Sequence, residues 1–185
     1  MYKDCVKFHT LLPRWSEEAL NCHVRVLCQA HDDVLNFTFE VEESKACFRL
    51  EHDHDGAECW EDSCVEVFLQ SCIDPSVYFN FECNAGGYIL AEMGQSRAGR
   101  RRFTPAEYAK LQRKATILAN TAHDVRWQFC LSVPMSMIGV TQPKNLRGNL
   151  YKCASKAKCV HYMSAFEVAS ERPDFHRPES FQLLF

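Results

Sequence analysis

WEDSCVEVFL, Trp60–Leu69, and VYFNFECN, Val77–Asn84, are the two stretches whose reading decides the fold. In the first, Val65, Val67 and Leu69 alternate with Cys64, Glu66, Phe68 and Gln70, which is the two-residue period of a strand with unlike faces. In the second, Val77, Phe79, Phe81 and Cys83 share an apolar side, and Tyr78, Asn80, Glu82 and Asn84 a polar one. Ile73-Asp74-Pro75-Ser76 supplies turn chemistry between them, so the pair predicts an antiparallel hairpin with one polar, carboxylate-bearing face. Residues opposite one another must lie on the same side of the sheet, which places Glu66 across from Asn80, Glu82 or Asn84. If it faces Glu82, two carboxylates come within about 5 Å and need a proton, a cation or a donor-rich ligand between them.

Working outward, Val24–Gln29 and Val34–Glu42 read as strands joined by His31-Asp32-Asp33, with Leu35, Phe37, Phe39 and Val41 inward. Ala46–Glu51 reads as a further strand, and His52-Asp53-His54-Asp55-Gly56 as a polar loop entering Trp60. Tyr88–Met93 continues the meander past Gly86-Gly87. Thr104-Pro105-Ala106-Glu107 carries the signature of a capping box with proline at the first helical position, predicting one short helix over residues 104–114. Thr116–Asn120 and Val125–Val133 return to strand, the latter with Trp127 on a core face, and Gly148–Cys153, His161–Phe166 and Phe181–Phe185 complete a set of short extended segments. The prediction is all-β: an antiparallel β-sandwich of jelly-roll type over residues 1–185, with no repeat or linker to mark a second domain.

Composition narrows the function. A chain of 185 residues with 46% hydrophobic residues buries a sizeable core, and a net charge of −3 offers no general attraction to nucleic acid. Arg100-Arg101-Arg102 stands isolated and reads as a solvated loop. No apolar run approaches the roughly 20 residues that span a bilayer, and MYKDCVKFHT lacks a secretory pattern, so a cytoplasmic location is the expectation for this sequence as it stands. Eleven cysteines are scattered without a CxxC pair and read as reduced, buried side chains; Cys153, Cys159 and His161 lack a fourth partner for zinc.

HDDVLNFTFEVEE, WEDSCVEVFL, YFNFECNAGG, RGNLYKC and RPDFHRPESF together resemble the family 9-like carbohydrate-binding domains found in many Bacteroidetes proteins, over nearly the whole chain. The resemblance implies a β-sandwich that holds a mono- or oligosaccharide between aromatic rings and a carboxylate and amide face, without catalysis. It implies Trp60 as the first stacking ring, Glu66 as the carboxylate for sugar hydroxyls, and Asn80, Glu82 and Asn84 as the segment of further polar contacts. Relatives read HFLSW where this chain reads HYMSA, so Ala165 stands in place of an aromatic. Phe166, or Phe175 with His176, is then the candidate for the second ring. The resemblance also implies structural calcium, for which Asp53, Asp55 and Asp62 offer oxygen ligands.

Three other readings stay open. Glu66 and Glu82 as a close carboxyl pair suit a retaining glycosidase. Met93 and His161 are of the residue types that ligate haem in sandwich domains. A sandwich with Ala165 in place of a ring also suits a structural or adaptor role without a ligand.

Overall fold

A computed structural model describes residues 4–15 and 21–185; the opening MYK of MYKDCVKFHT lies outside the described residues. In chain order the strands are β1 (Cys5–Thr10), β2 (Leu12–Arg14), β3 (Cys22–His31), β4 (Val34–Ser44), β5 (Cys64–Gln70), β6 (Tyr78–Asn84) and β7 (Ile89–Gly94). They continue as β8 (Arg101–Arg102), β9 (Gln112–Asn120), β10 (Asp124–Pro134), β11 (Arg147–Cys153), β12 (Tyr162–Ser164) and β13 (Gln182–Leu183). One antiparallel sheet has the order β1-β3-β4-β10-β9, and the other β2-β12-β11-β5-β6-β7-β8 with β13 on β11. The two sheets make an all-β sandwich. Among the described residues no helix is long and apolar enough to cross a membrane.

The alternation along each strand builds the main core. Val24, Val26, Cys28 and Ala30 of β3, Leu35, Phe37, Phe39 and Val41 of β4, and Val125, Trp127, Phe129, Leu131 and Val133 of β10 are buried from the first sheet. Val65, Val67, Leu69, Phe79, Phe81, Cys83 and Leu150 meet them from the second. Asp32 and Asp33 take φ of 49° and 60°, the left-handed pair that a two-residue hairpin loop between β3 and β4 requires. Gly148 of β11 lies so close to the Phe68 carbonyl of β5 that a Cβ has no room, which lets the two strands pair tightly.

Two predicted elements differ. The helix, α1 (Pro105–Tyr108), has the capping box but lasts four residues, and Gln112–Asn120 is strand instead. One turn of helix adds few internal hydrogen bonds, whereas residues 112–120 complete a ladder against β10, from Gln112↔Ser132 to Asn120↔Val125. Ala46–Glu51 forms no strand. Its backbone is held by other means: Arg49 exchanges bonds with Ser63, donating to Oγ at 3.1 Å and accepting at 2.8 Å, and Glu51 and His52 donate to the Asp62 carboxylate. A second short helix, α2 (Met135–Ile138), follows β10 and ends at Gly139 in the left-handed conformation.

The face of β5 and β6 opposite the main core is not the open polar surface the alternation suggests. Phe68, Tyr78 and Tyr151 form a second apolar cluster there with Val168, Phe175 and Phe181 from the C-terminal segment. Phe175 stacks on Tyr151 with ring centroids 4.1 Å apart, and Phe68 meets Tyr151 edge-on at 5.0 Å. β5 and β6 are thus buried on both sides, and only a strip of their polar face stays accessible.

One polar network ties the sheets together. Lys152 of β11 is fully buried, and its Nζ donates to Glu43 Oε2 (3.1 Å), the Cys153 carbonyl (3.1 Å) and His161 Nε2 (2.7 Å). Glu43 Oε1 accepts from Trp127 Nε1 at 2.8 Å, so every member has a partner. Because the ammonium only donates, His161 Nε2 accepts and Nδ1–H donates to the Cys159 carbonyl. Burial, then the Lys152 charge, lowers the His161 pKa to about 3. His161 is therefore neutral when folded and protonates on unfolding below its ordinary 6.5, so it removes stability as pH falls from 6.5 toward 3. At pH 5 this amounts to about 2 kcal/mol. Denaturant unfolding at pH 7 and pH 5 should show His161→Asn losing less stability between the two than the parent, by that amount; equal losses would contradict the assignment.

Candidate functional site

The strip left open on β5 and β6 floors a cavity of about 260 Å³. Its chemistry is set by register, since Glu66 pairs directly with Glu82 and both carboxyls are buried in the floor beside Cys153. Trp60 lines one side from a single 3-10 turn, Cys59–Glu61, and the residue is 38% exposed. That turn is anchored through its carbonyls, Trp60 O accepting from Ser155 N at 3.2 Å and Glu61 O from Lys156 N at 3.1 Å. Tyr162 and Phe175 provide aromatic surface on the remaining wall, and Arg97, Arg100, Asp174 and His176 close the rim.

The floor is rich in acceptors and short of donors. Glu66 Oε1 accepts from the Cys153 thiol at 3.0 Å, and Glu82 Oε1 from Asn80 Nδ2 at 3.0 Å. Glu82 Oε2 and Asn80 Oδ1 are buried and have no partner among the described residues. Burial, then Cys153, pushes the Glu66 carboxyl well above the usual range, and burial, then the facing Glu66, does the same to Glu82. Arg100 opposes both shifts, but its guanidinium is engaged by Glu92 at 2.7 Å. His176 Nδ1 accepts from Arg100 at 3.2 Å and lies 2.9 Å from the Tyr78 hydroxyl. Burial, then Arg100 and Arg97, holds its pKa down at about 3, so the ring is neutral and Nε2 carries its proton.

The profile of carbohydrate-binding family 9 matches residues 2–185. The chain belongs to carbohydrate-binding family 9. Among solved structures, it is similar to a Bacteroides uniformis protein provisionally described as carbohydrate-binding, with a TM-score of 0.83 and 28% identity. The match covers 95% of this chain and 84% of that one. No curated protein matches this family 9 chain.

The structure brings Trp60, Glu66 and Glu82 together at the cavity, with Asn80 immediately behind Glu82. Asn84 is elsewhere. Its side chain donates to the His52 carbonyl (2.9 Å) and Asp62 Oδ2 (3.1 Å) and accepts from Gly86 N and Tyr88 N, so it builds the β6–β7 turn. Phe166 also departs from the expected placement. It packs against the main core and edge-on to His9 at 5.4 Å, with its backbone held by Asn149, which accepts from Phe166 N at 3.1 Å and donates to the Phe166 carbonyl at 3.2 Å. Ala165 packs against that same core, and the aromatic surface facing Trp60 comes from Phe175 and Tyr162.

Asp53, Asp55 and Asp62 do not converge on a common point. Asp53 is exposed beside His54, Asp55 accepts from Ile89 N and pairs with Arg113 at 2.6 Å, and Asp62 binds backbone amides, Asn84 and Arg49. Met93 and His161 are likewise separately engaged, Met93 Sδ by Arg101 at 2.9 Å and His161 by Lys152. Arg97, Arg100, Tyr162 and Asp174 are rim and wall residues with no strand alternation to single them out; for Arg100 the signal of an isolated basic run pointed to solvent instead. Asp62 holds residues 49–52 through Arg49 and the Glu51 and His52 amides. Asp62→Ala should cost about 3 kcal/mol by leaving two backbone amides without their acceptor and Arg49 with Glu51 as its remaining carboxylate partner, as read by denaturant unfolding, and calcium should not restore it.

Proposed function

We propose that this chain is a non-catalytic module that holds a single ring of a mono- or oligosaccharide in the cavity between Trp60, Phe175 and Tyr162. The observation that carries the reading is the pairing of aromatic walls with an acceptor-rich floor whose Glu82 Oε2 has no partner among the described residues. A pyranose presents an apolar C–H face that packs on a ring and a belt of hydroxyls that donate to carboxylates. The cavity of about 260 Å³ has room for roughly nine waters at about 30 Å³ each, the scale of one sugar ring rather than a chain. Membership of carbohydrate-binding family 9 supports the same reading.

Glu66 and Glu82 suit binding better than hydrolysis. A glycosidase needs its two carboxyls driven apart, one kept as acid and the other ionised. Here burial shifts both in the same direction, toward the neutral form. The pair works instead as a hydrogen-bonding floor, since a neutral carboxyl both accepts from and donates to sugar hydroxyls.

Calorimetric titration against plant and host-type mono- and oligosaccharides, with the sugars assayed for cleavage, tests the proposal. A saturable signal between millimolar and micromolar, about 4 to 8 kcal/mol, is expected without turnover. Trp60→Ala should weaken it by at least ~10-fold, or about 1.4 kcal/mol, while leaving the melting temperature within a few degrees, because the ring is part-exposed. Unchanged affinity in that variant, or cleavage of a sugar by the parent, would overturn the site or the non-catalytic reading. Silence across the panel would favour a structural sandwich.

A further inference from the structure

We propose that Cys64, Glu66 and Cys153 form a site for a thiophilic divalent cation of the zinc class in the floor of the cavity. Cys64 of β5 and Cys153 of β11 are direct cross-strand partners, and Glu66 follows on the same face of β5. Their two sulfurs and one carboxylate oxygen all lie within 4.8 Å of one another, and Cys153 Sγ is already 3.0 Å from Glu66 Oε1. Tetrahedral zinc with bonds of about 2.0 to 2.3 Å separates its ligand atoms by roughly 3.4 to 3.8 Å, so the cluster needs rotamer adjustment and no strand movement.

The donor set selects the metal. Two sulfurs and one oxygen suit zinc or cadmium and are poor for calcium or magnesium, which take oxygen alone. Glu66 and Cys153 line the cavity while Cys64 lies behind them. Three protein ligands on one side therefore leave the fourth position turned toward the cavity, the pattern of an open rather than a closed structural site. Glu82, opposite Glu66 with Oε2 unpartnered, is an acceptor available to water on that position.

A second cluster of similar closeness shows what disqualifies a site. Cys22, Glu43 and His161 also lie within 4.8 Å, but Glu43 and His161 both already bind the Lys152 ammonium. A metal ion there would have to displace a fully buried cation. At Cys64, Glu66 and Cys153 the Lys152 ammonium reaches only the Cys153 backbone carbonyl, and no ammonium or guanidinium is bonded to any of the three side chains among the described residues.

The site shares Glu66 with the saccharide proposal but stands on its own geometry, so the test uses sugar-free, reduced, full-length protein. Cadmium titration should produce the ultraviolet thiolate-to-metal charge-transfer band, and equilibrium dialysis should find one zinc per chain. Cys64→Ser and Cys153→Ser should each weaken binding at least ~10-fold, the scale of losing even an outer partner of a metal site. Cys72→Ser, at an exposed cysteine, should change nothing. Glu66→Gln keeps both thiols, and should weaken zinc without losing the charge-transfer band even if a serine variant fails to fold. Absence of the band in reduced parent protein, parent-level affinity and band intensity in Cys64→Ser or Cys153→Ser, or loss of the band in His161→Asn would overturn the assignment. Sugar titration of metal-free protein then judges the saccharide reading separately.

Discussion

Burial of β5 and β6 on both faces is the constraint on which the rest of the molecule depends. One face carries the main core through Val65, Val67, Phe79 and Phe81, and the other carries the aromatic layer of Phe68, Tyr78, Tyr151 and Phe175. A slip of one residue would carry Glu66 and Glu82 into the main core, so the pairing has no near alternative. The same double burial removes solvent from the two carboxyls and shifts them toward their neutral forms. Site chemistry and fold stability therefore come from one register.

The C-terminal segment is what turns a sheet face into a cavity. Without Phe175 and His176 the strip between Trp60 and Tyr162 would be open to water, and its carboxylates would behave as ordinary surface groups. Phe175 is fixed twice, by its stack on Tyr151 and by its carbonyl, which accepts from the Tyr151 hydroxyl at 3.2 Å. His176 is fixed by Arg100 and Tyr78. The wall is thus preorganised by contacts that do not involve a ligand, which lowers the ordering cost of binding. On the far side of β11, Lys152 and Glu43 align the sheets. A buried ion pair of this kind adds little net stability, and its value lies in leaving one satisfied arrangement of the two sheets.

What was legible in the chain follows from which interactions are local. Strand alternation gave the faces of β4, β5, β6 and β10, because a period of two needs no knowledge of the partner strand. The capping box of α1 was legible for the same reason, yet the length of the helix was not, since the competing ladder of β9 against β10 is a tertiary interaction. Ala46–Glu51 has strand-like alternation but no neighbouring strand, and Asp62 supplies the acceptors a strand would have supplied. Phe166 fits an aromatic role by position in the chain. Its direction is decided by Asn149, seventeen residues away, and no periodicity carries that information. Arg100 reads as solvated until Glu92 and His176 are seen to enclose it.

The saccharide and metal proposals answer the same physical condition, a buried floor with more acceptors than donors. In the structure that condition is met in part by the Cys153 thiol, which donates to Glu66, and burial favours the protonated form of both carboxyls. Hydroxyl groups of a sugar would supply further donors at the oxygen side, nearest Glu82. A thiophilic cation would replace thiol protons at the sulfur side, nearest Cys64. The two ligands then draw on one shared group, Glu66, and each alters what the other meets: a metal ion removes a carboxylate from the sugar and offers a Lewis acid at the open position. By linkage any such coupling is reciprocal, so a metal that changes sugar affinity must have its own affinity changed by the sugar to the same degree.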